Sequence, residues 1–168
     1  VCSSDLELIV VDNGSTDGTP EWLHHFAESR SREDLNIRLI CNDGNIGCST
    51  ARNQGAAAAR GQRLVFVDND VALRSRRWLS RLSRCLDNDG IVMAGPKLIY
   101  PFSPYNIQCA GAAVSPSGRI QFRGRGESKD DPRFNTEYSA QCLISACCMV
   151  DRNAFERVSG FDDAFNHV

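Results

Sequence analysis

The chain has 168 residues, 42% of them hydrophobic and 24% charged, with a formal net charge of −2. This is one domain's length with enough apolar material for a core. The near-neutral charge gives no basic footprint, so no nucleic-acid partner is expected.

No apolar run approaches a membrane span and no secretory signal is visible. Eight cysteines at positions 2, 41, 48, 85, 109, 142, 147 and 148 form no Cys-x-x-Cys pair. Zinc-site spacing is therefore absent, and the cysteines read as mostly buried thiols of a cytoplasmic protein. Residues 1–6 lack an initiator Met and are expected to be a non-native leader. The chain stops at Val168 in mid-pattern, so residues 7–168 are expected to be one domain, incomplete at both ends.

The predicted elements begin with a strand at 7–11, whose near-continuous apolar character suits a strand covered on both faces. The loop 12–18 follows, then a helix from Thr19 (N-cap) and Pro20 (first turn) to about Ser29. A polar loop at 31–36 leads to a second strand, 37–41. After the loop 42–47, an Ala-rich helix spans 48–60 and Gly61 ends it. A third strand, 64–67, runs into Asp68-Asn69-Asp70. A basic amphipathic helix at 75–86 and a fourth strand at 91–94 complete a β-α-β-α-β-α-β alternation, the pattern of a parallel sheet with helices on both faces.

Beyond Gly95-Pro96 the character changes. Short strands are expected at 97–100, 108–114 and 119–122, the last two joined by a turn at 115–118. A charged, Gly-rich stretch at 124–136 reads as a mobile loop. Residues 138–150 read as strand, and Asp151 caps a helix at 152–158.

Three predicted strands end in polar loops, which parallel strands would place along one sheet edge. Ligands of open α/β sheets sit beyond that edge. Asp68 and Asp70 offer hard oxygen ligands to Mg²⁺ or Mn²⁺, ions that take few protein carboxylates together with a substrate's phosphates. Asp12 can accept from a base N–H or a ribose hydroxyl, Arg52 lies near the start of its helix, and helix starts near Thr19 and Gly47 add backbone donors. Taken alone, the Asp-x-Asp reads first as a solvated turn, and only the rest of the chain reverses that order.

These pieces occur in a familiar order. Val10-Val11-Asp12-Asn13-Gly14-Ser15-Thr16-Asp17-Gly18-Thr19 resembles the second-strand signature of family 2 glycosyltransferases. Asn45-Ile46-Gly47, Ala51-Arg52-Asn53-Gln54-Gly55 and Ala59-Arg60-Gly61 match the next block, Phe66 to Asp70 the Asp-x-Asp, and Ala146-Cys147-Cys148-Met149-Val150 with Gly160-Phe161-Asp162-Asp163 a later region.

The resemblance implies an α/β protein of the GT-A (nucleotide-diphospho-sugar transferase) fold. Such a fold has a Rossmann-like, mostly parallel sheet flanked by helices and a smaller mixed β region on the acceptor side. Residues 7–95 would be the nucleotide-binding half and 96–168 the acceptor-side half. The activity implied is inverting sugar transfer from a nucleotide-diphospho-sugar to a hydroxyl of a glycan, lipid-linked or other acceptor, in polysaccharide or cell-surface glycan synthesis.

Asp12 would hold the base, Asp68 the ribose or sugar, and Asp70, with Asp68, a divalent metal (Mn²⁺ or Mg²⁺). Asn13, Ser15, Gly47, Arg52 and Asn69 would complete the nucleotide-sugar contacts. The family's first strand is missing before Asp12. Its catalytic base lies in a Glu-Asp motif expected beyond Val168, so the 168-residue chain is expected to be inactive alone. Asp163 stands where the family has Glu, and Asp162 and Asp163 are expected to position a loop or cap a helix.

Two other functions compete: a catalytically inactive nucleotide- or glycan-binding module of this fold, and a sugar-phosphate nucleotidyltransferase. The second would want a Gly-rich loop carrying Arg or Lys, and the loop here is acidic. Residues 12–23 lack the acidic third and Glu twelfth positions of an EF-hand loop, and no P-loop pattern exists. His24 and His25 are adjacent on a helix and read as surface residues. The run Arg74, Arg76, Arg77, Arg81 and Arg84 reads first as a solvated helix face. Its second reading is peripheral contact with anionic lipid at the inner face of the membrane.

Overall fold

The computed structural model describes residues 6–30 and 36–165. The expected leader (except Leu6), the loop expected at 31–36 (except Asn36) and Val168 lie outside the described residues. In chain order the elements are β1 (Glu7–Asp12), α1 (Thr19–Arg30), β2 (Asn36–Cys41), α2 (Cys48–Ala58), β3 (Arg63–Val67), α3 (Trp78–Cys85), β4 (Met93–Ala94), β5 (Leu98–Ile99), β6 (Ile107–Cys109), β7 (Ala112–Val114), β8 (Ile120–Phe122), β9 (Cys147–Asp151) and α4 (Arg152–Arg157). Short 3-10 turns occupy Pro132–Phe134 and Asp163–Phe165. No helix among the described residues is long and apolar enough to cross a membrane.

The chain divides into two compact units, Val1–Leu64 with Asp151–Val168, and Val65–Val150. In the first unit β1 and β2 pair in parallel, from Glu7 opposite Asn36 to Asp12 opposite Cys41. Both strands therefore end at the same edge, and the loops 12–18 and 42–47 emerge side by side. Helix α2 packs close to β1, since a Cβ built on Gly55 would lie 3.2 Å from Val11 Cγ2. Leu23, Ala51, Ala56, Leu64 and Ala154 are buried here.

Two helix ends differ from the sequence expectation. Thr19 is the first residue of α1 and not its N-cap: Trp22 N donates to Gly18 O at 3.1 Å, and Asp17 Oδ1 accepts from Thr19 N at 3.2 Å and Thr19 Oγ1 at 2.6 Å. Helix α2 stops at Ala58, because Ala59 turns extended. Gly61 does not terminate it. The N–H groups of Arg60 and Gly61 donate instead to Glu7 Oε1, at 2.5 and 2.9 Å, tying the helix exit to the start of β1. Asp151 caps α4 by accepting from Ala154 N at 2.9 Å.

In the second unit, the sheet order is β3-β9-β4, with Met93 antiparallel to Val150. The predicted parallel alternation thus describes β1 and β2 but not the fourth strand, which is only two residues long. Its neighbour is β9, a strand from far along the chain, and no local pattern reveals that insertion. Helix α3 is shorter than 75–86 because the chain enters it through a turn, with Trp78 N bonded to Ser75 O at 3.3 Å. Leu82, Ala94 and Met149 form a core against which Val65, Trp78, Leu79, Cys85 and Leu86 pack.

The strand expected at 108–114 is broken into β6 and β7 at Gly111, whose φ is +100°. A side chain there would press to 3.0 Å from Ala140 Cβ. Of 138–150 only the end is strand, although Cys142 bridges to Ala112. The stretch 124–136 is a bonded loop rather than a bare mobile one. Lys97 Nζ donates to Lys129 O at 2.6 Å and to Asn135 Oδ1, and Arg133 pairs with Asp131 at 2.7 Å and Glu127 at 3.3 Å.

Candidate functional site

Asp12 closes β1 and is only 6% exposed. A carboxylate so buried needs partners. Its Oδ2 accepts from Ser15 N at 3.1 Å, and no described side chain engages Oδ1. Its carbonyl accepts from Asn42 N at 2.9 Å, extending the ladder with β2 by one bond. Asp12 is therefore a held carboxylate whose Oδ1 has no hydrogen-bond partner among the described residues.

The neighbouring Asn13 works within the protein. Its Nδ2 donates to Asn45 Oδ1 at 2.9 Å and to Gly47 O at 3.4 Å, while its Oδ1 accepts from Ile46 N at 3.1 Å and Asn42 Nδ2 at 3.3 Å. Asn42 and Gln54 exchange a reciprocal pair of amide bonds at 3.1 and 2.9 Å. This network clamps the loop after β1 to the loop after β2. At the same place Gly14, at φ +81°, abuts Gly44 so closely that a Cβ would sit 2.5 Å from Gly44 Cα.

Gly47 is the N-cap of α2, at φ 89°, with no side chain capping the helix. Its own N–H goes to Asn45 Oδ1 at 2.9 Å, so Gly47 shapes the helix start and does not offer that donor. Arg52, one turn into α2, places its guanidinium 5.6 Å from the centre of the Phe161 ring. Ser15 contributes its backbone N–H to Asp12, and its side chain is exposed.

Asp68, Asn69 and Asp70 belong to the second unit. They follow β3 directly, in a turn closed by Val71 N to Asp68 O at 3.1 Å and anchored by Asp68 N to Ala146 O at 2.8 Å. Asp68 is half-buried, whereas Asn69 and Asp70 are exposed. Burial pushes the Cys147 thiol pKa up, and the charge of Asp68 adds to that; the Asp68 carboxylate thus lies near the β9 thiol. No group of three or more His, Cys, Asp or Glu side chains among the described residues is gathered to hold a metal. Two carboxylates on one accessible turn nevertheless fit an ion that completes its shell with phosphate oxygens and water.

Sequence reasoning passed over several residues with structural work at this site. Asn45 and Gln54 were visible only as members of matched blocks, and Asn42 only as the first residue of the loop 42–47. The excess of amide side chains in two adjacent strand-end loops was the available signal. Asp163 Oδ1 accepts from Thr50 Oγ1 at 3.1 Å and Asn53 Nδ2 at 3.2 Å, and Asp162 Oδ1 accepts from Ala164 N at 2.9 Å, capping the final turn.

The parallel β1–β2 pair joined through α1 in one unit and the β3-β9-β4 sheet with α3 in the other make an α/β protein. The family model for glycosyl transferase family 2 matches residues 2–159, and the chain belongs to that family. It is 28% identical over 167 residues to the O-antigen biosynthesis protein RfbC of Myxococcus xanthus, a match covering 95% of this chain and 12% of RfbC. It is 45% identical over 67 residues to the uncharacterized glycosyltransferase EpsJ of Bacillus subtilis, covering 40% of this chain and 18% of EpsJ.

Among solved structures, the mannosyltransferase PcManGT of Pyrobaculum calidifontis, in complex with GDP-Man and Mn²⁺, matches with TM-score 0.67 at 20% identity, over 96% of this chain and 40% of that one. GalNAc-T7 with UDP, GalNAc and Mn²⁺ matches with TM-score 0.68 at 17% identity, over 95% of this chain and 31% of that one. The fold is GT-A. The chain spans less than a fifth of the length of RfbC and EpsJ.

Proposed function

We propose that the chain is the donor-binding part of an enzyme that moves a sugar from a nucleotide-diphospho-sugar to an acceptor hydroxyl with inversion, in polysaccharide or cell-surface glycan assembly, and that the 168 residues alone are inactive because none of the assigned residues is the catalytic base. The observation that carries this reading is the accessible Asp68-Asn69-Asp70 turn at the end of β3. Family membership and the RfbC relative support it, and Mn²⁺ with a nucleotide or nucleotide sugar in both solved relatives supports a metal-dependent donor site. Exposed free thiols at Cys41 and Cys48 suit a reducing, cytoplasmic setting. A lipid-linked acceptor would place the protein at the inner face of the membrane.

In this reading Asp12 receives the base through Oδ1, held by Ser15 N, while Asn13 and Gly47 keep the two loops in shape. Arg52 stands by the nucleotide. Asp68 and Asn69 contact the ribose or sugar, and Asp70 with Asp68 holds the divalent ion, which would neutralise charge on the departing diphosphate. Residues 7–95 serve the donor and 96–168 the acceptor. In the single displacement a carboxylate base takes the acceptor hydroxyl proton, the acceptor oxygen bonds to the anomeric carbon, and the bond to the diphosphate breaks with its electron pair leaving on phosphate. Asp162 caps the final turn, Asp163 is bonded to Thr50 and Asn53, and neither is assigned as that base.

Titration calorimetry with UDP, dTDP, GDP and CMP tests the donor site. Binding of one nucleotide with Mn²⁺ or Mg²⁺ that disappears in a chelator is the expected result. Heats that are equal with and without metal, or absent for all four, contradict it.

A further inference from the structure

Residues 71–86 contain Arg74, Arg76, Arg77, Arg81 and Arg84 and no acidic residue, in a chain whose net charge is −2. All of these arginines are exposed, and none makes an ion pair among the described residues. Helix α3 turns Leu82, Trp78, Leu79 and Cys85 to the core. Arg77, Arg81 and Arg84, spaced by four and three, stand in a row on the opposite face.

That row opposes the stability of the helix carrying it. Like charges three and four residues apart repel. Arg74, Arg76 and Arg77 gather at the positive end of the helix dipole, where carboxylates would be favoured. Arg77 is itself the N-cap, without a side-chain cap bond and with no acidic residue in the first turn. Asp87 follows Arg84 by three residues and the Glu137 charge reaches Cys85, but the first turn of α3 has no acidic residue, and there an anion outside the chain would compensate the arginines.

The surroundings indicate which anion. Arg74 lies 4.8 Å over the Tyr105 ring, and Tyr105 N donates to Phe102 O at 2.8 Å, so the turn carrying Phe102 adjoins the basic segment. Phe102 is 65% exposed and Leu73 50%. Arginines flanked by an aromatic and an aliphatic side chain fit the region where anionic headgroups meet acyl chains. Duplex nucleic acid fits less well, because the sequence pI of about 5.9 is far below that of nucleic-acid-binding domains.

We propose that α3 and the Phe102 turn form a docking surface for an anionic lipid bilayer. This deepens the membrane-side location given under Proposed function and is independent of the donor site. The test is co-sedimentation of the chain with vesicles of phosphatidylcholine alone and of phosphatidylcholine mixed with phosphatidylglycerol. Wild type should partition onto the mixed vesicles only and be released by high salt. The triple variant R77Q/R81Q/R84Q should lose partitioning on the order of a hundredfold without a fall in Tm, since it removes repulsion at exposed positions. Phe102→Ser should weaken partitioning by a smaller factor.

Equal partitioning of wild type and the triple variant, or no partitioning onto mixed vesicles, overturns the proposal. Displacement from vesicles by duplex DNA at equal charge also overturns it, in favour of a nucleic-acid partner. Calorimetry with the nucleotides on the same preparations reports on the donor site separately, so failure of one reading is distinguishable from failure of the other.

Discussion

The side-chain amide of Asn53 brackets the peptide unit of Phe161. Its Nδ2 donates to Phe161 O at 2.7 Å and its Oδ1 accepts from Phe161 N at 2.9 Å. The pairing imitates one rung of a strand ladder and joins α2 to the Gly-Phe-Asp-Asp segment 108 residues later. Gly160, at φ +78°, lets the backbone approach, since a Cβ there would lie 2.6 Å from Asn53 Oδ1.

Asn53→Ala leaves both backbone groups of Phe161 without that partner. The expected loss is about 2 kcal/mol, read as a Tm several degrees lower. Asn53→Asp should be at least as damaging, because it removes the donor and sets a second carboxylate beside Asp163. A melt of either variant that matches wild type contradicts the structural role.

Gly14→Ala combines a left-handed backbone with a collision against Gly44. We expect destabilisation of about 2 kcal/mol or more and weakened nucleotide binding, because Asp12 and Asn13 share the displaced loop. Gly18→Ala supplies the comparison: Gly18 also has positive φ, but a Cβ there meets nothing within 4 Å. It should cost less and leave binding intact. Urea titrations of both variants give the comparison.

Glu7 predicts a pH dependence. Burial works against its charge, but the N–H groups of Arg60 and Gly61 and the charge of Arg60 outweigh burial and hold its carboxyl below the ordinary 4.5. A pKa lowered in the folded state contributes stability that is present above the unfolded value and lost as pH falls through the folded value. Wild type should therefore exceed Glu7→Gln in urea midpoint at neutral pH, and the gap should close as the pH drops below 4.5. A gap that persists or widens in acid would refute the assignment.

Thiol reactivity should follow burial. Cys109, Cys147 and Cys148 are buried, whereas Cys41 and Cys48 are exposed. Burial pushes Cys109 and Cys147 above the ordinary thiol range, so little nucleophilic thiolate forms there. Mass-spectrometric mapping after brief alkylation of the native chain should find label at 41 and 48 and not at 109 or 147.

What the sequence disclosed was mostly local. Strand β1, the Ala-rich helix, the Asp-x-Asp turn and the Asp151 cap follow from apolar runs, helix propensity and capping chemistry within a few residues. The matched blocks identified the family, and the fold came with it. What stayed hidden depended on distant chain. The end of α2 is set by Glu7, more than 50 residues earlier, so Gly61 looked like the terminator. The antiparallel setting of β4 depends on β9. Asn13 carried a site motif, yet its amide is committed to Asn42, Asn45, Ile46 and Gly47. Composition made 124–136 look mobile, and only folding showed Lys97 and Arg133 tying it down.

The most direct test of the central claim is a thermal-shift measurement with each nucleoside diphosphate, with and without Mn²⁺, on wild type, Asp70→Ala and, as a control, Asp43→Ala. A ligand that binds only the folded state raises Tm by mass action. The account predicts a metal-dependent rise in wild type and Asp43→Ala that Asp70→Ala abolishes, while its unliganded Tm stays close to wild type because Asp70 is exposed. A rise that survives in Asp70→Ala, or that needs no metal, would contradict the assignment of the Asp68-Asn69-Asp70 turn as the metal-diphosphate site.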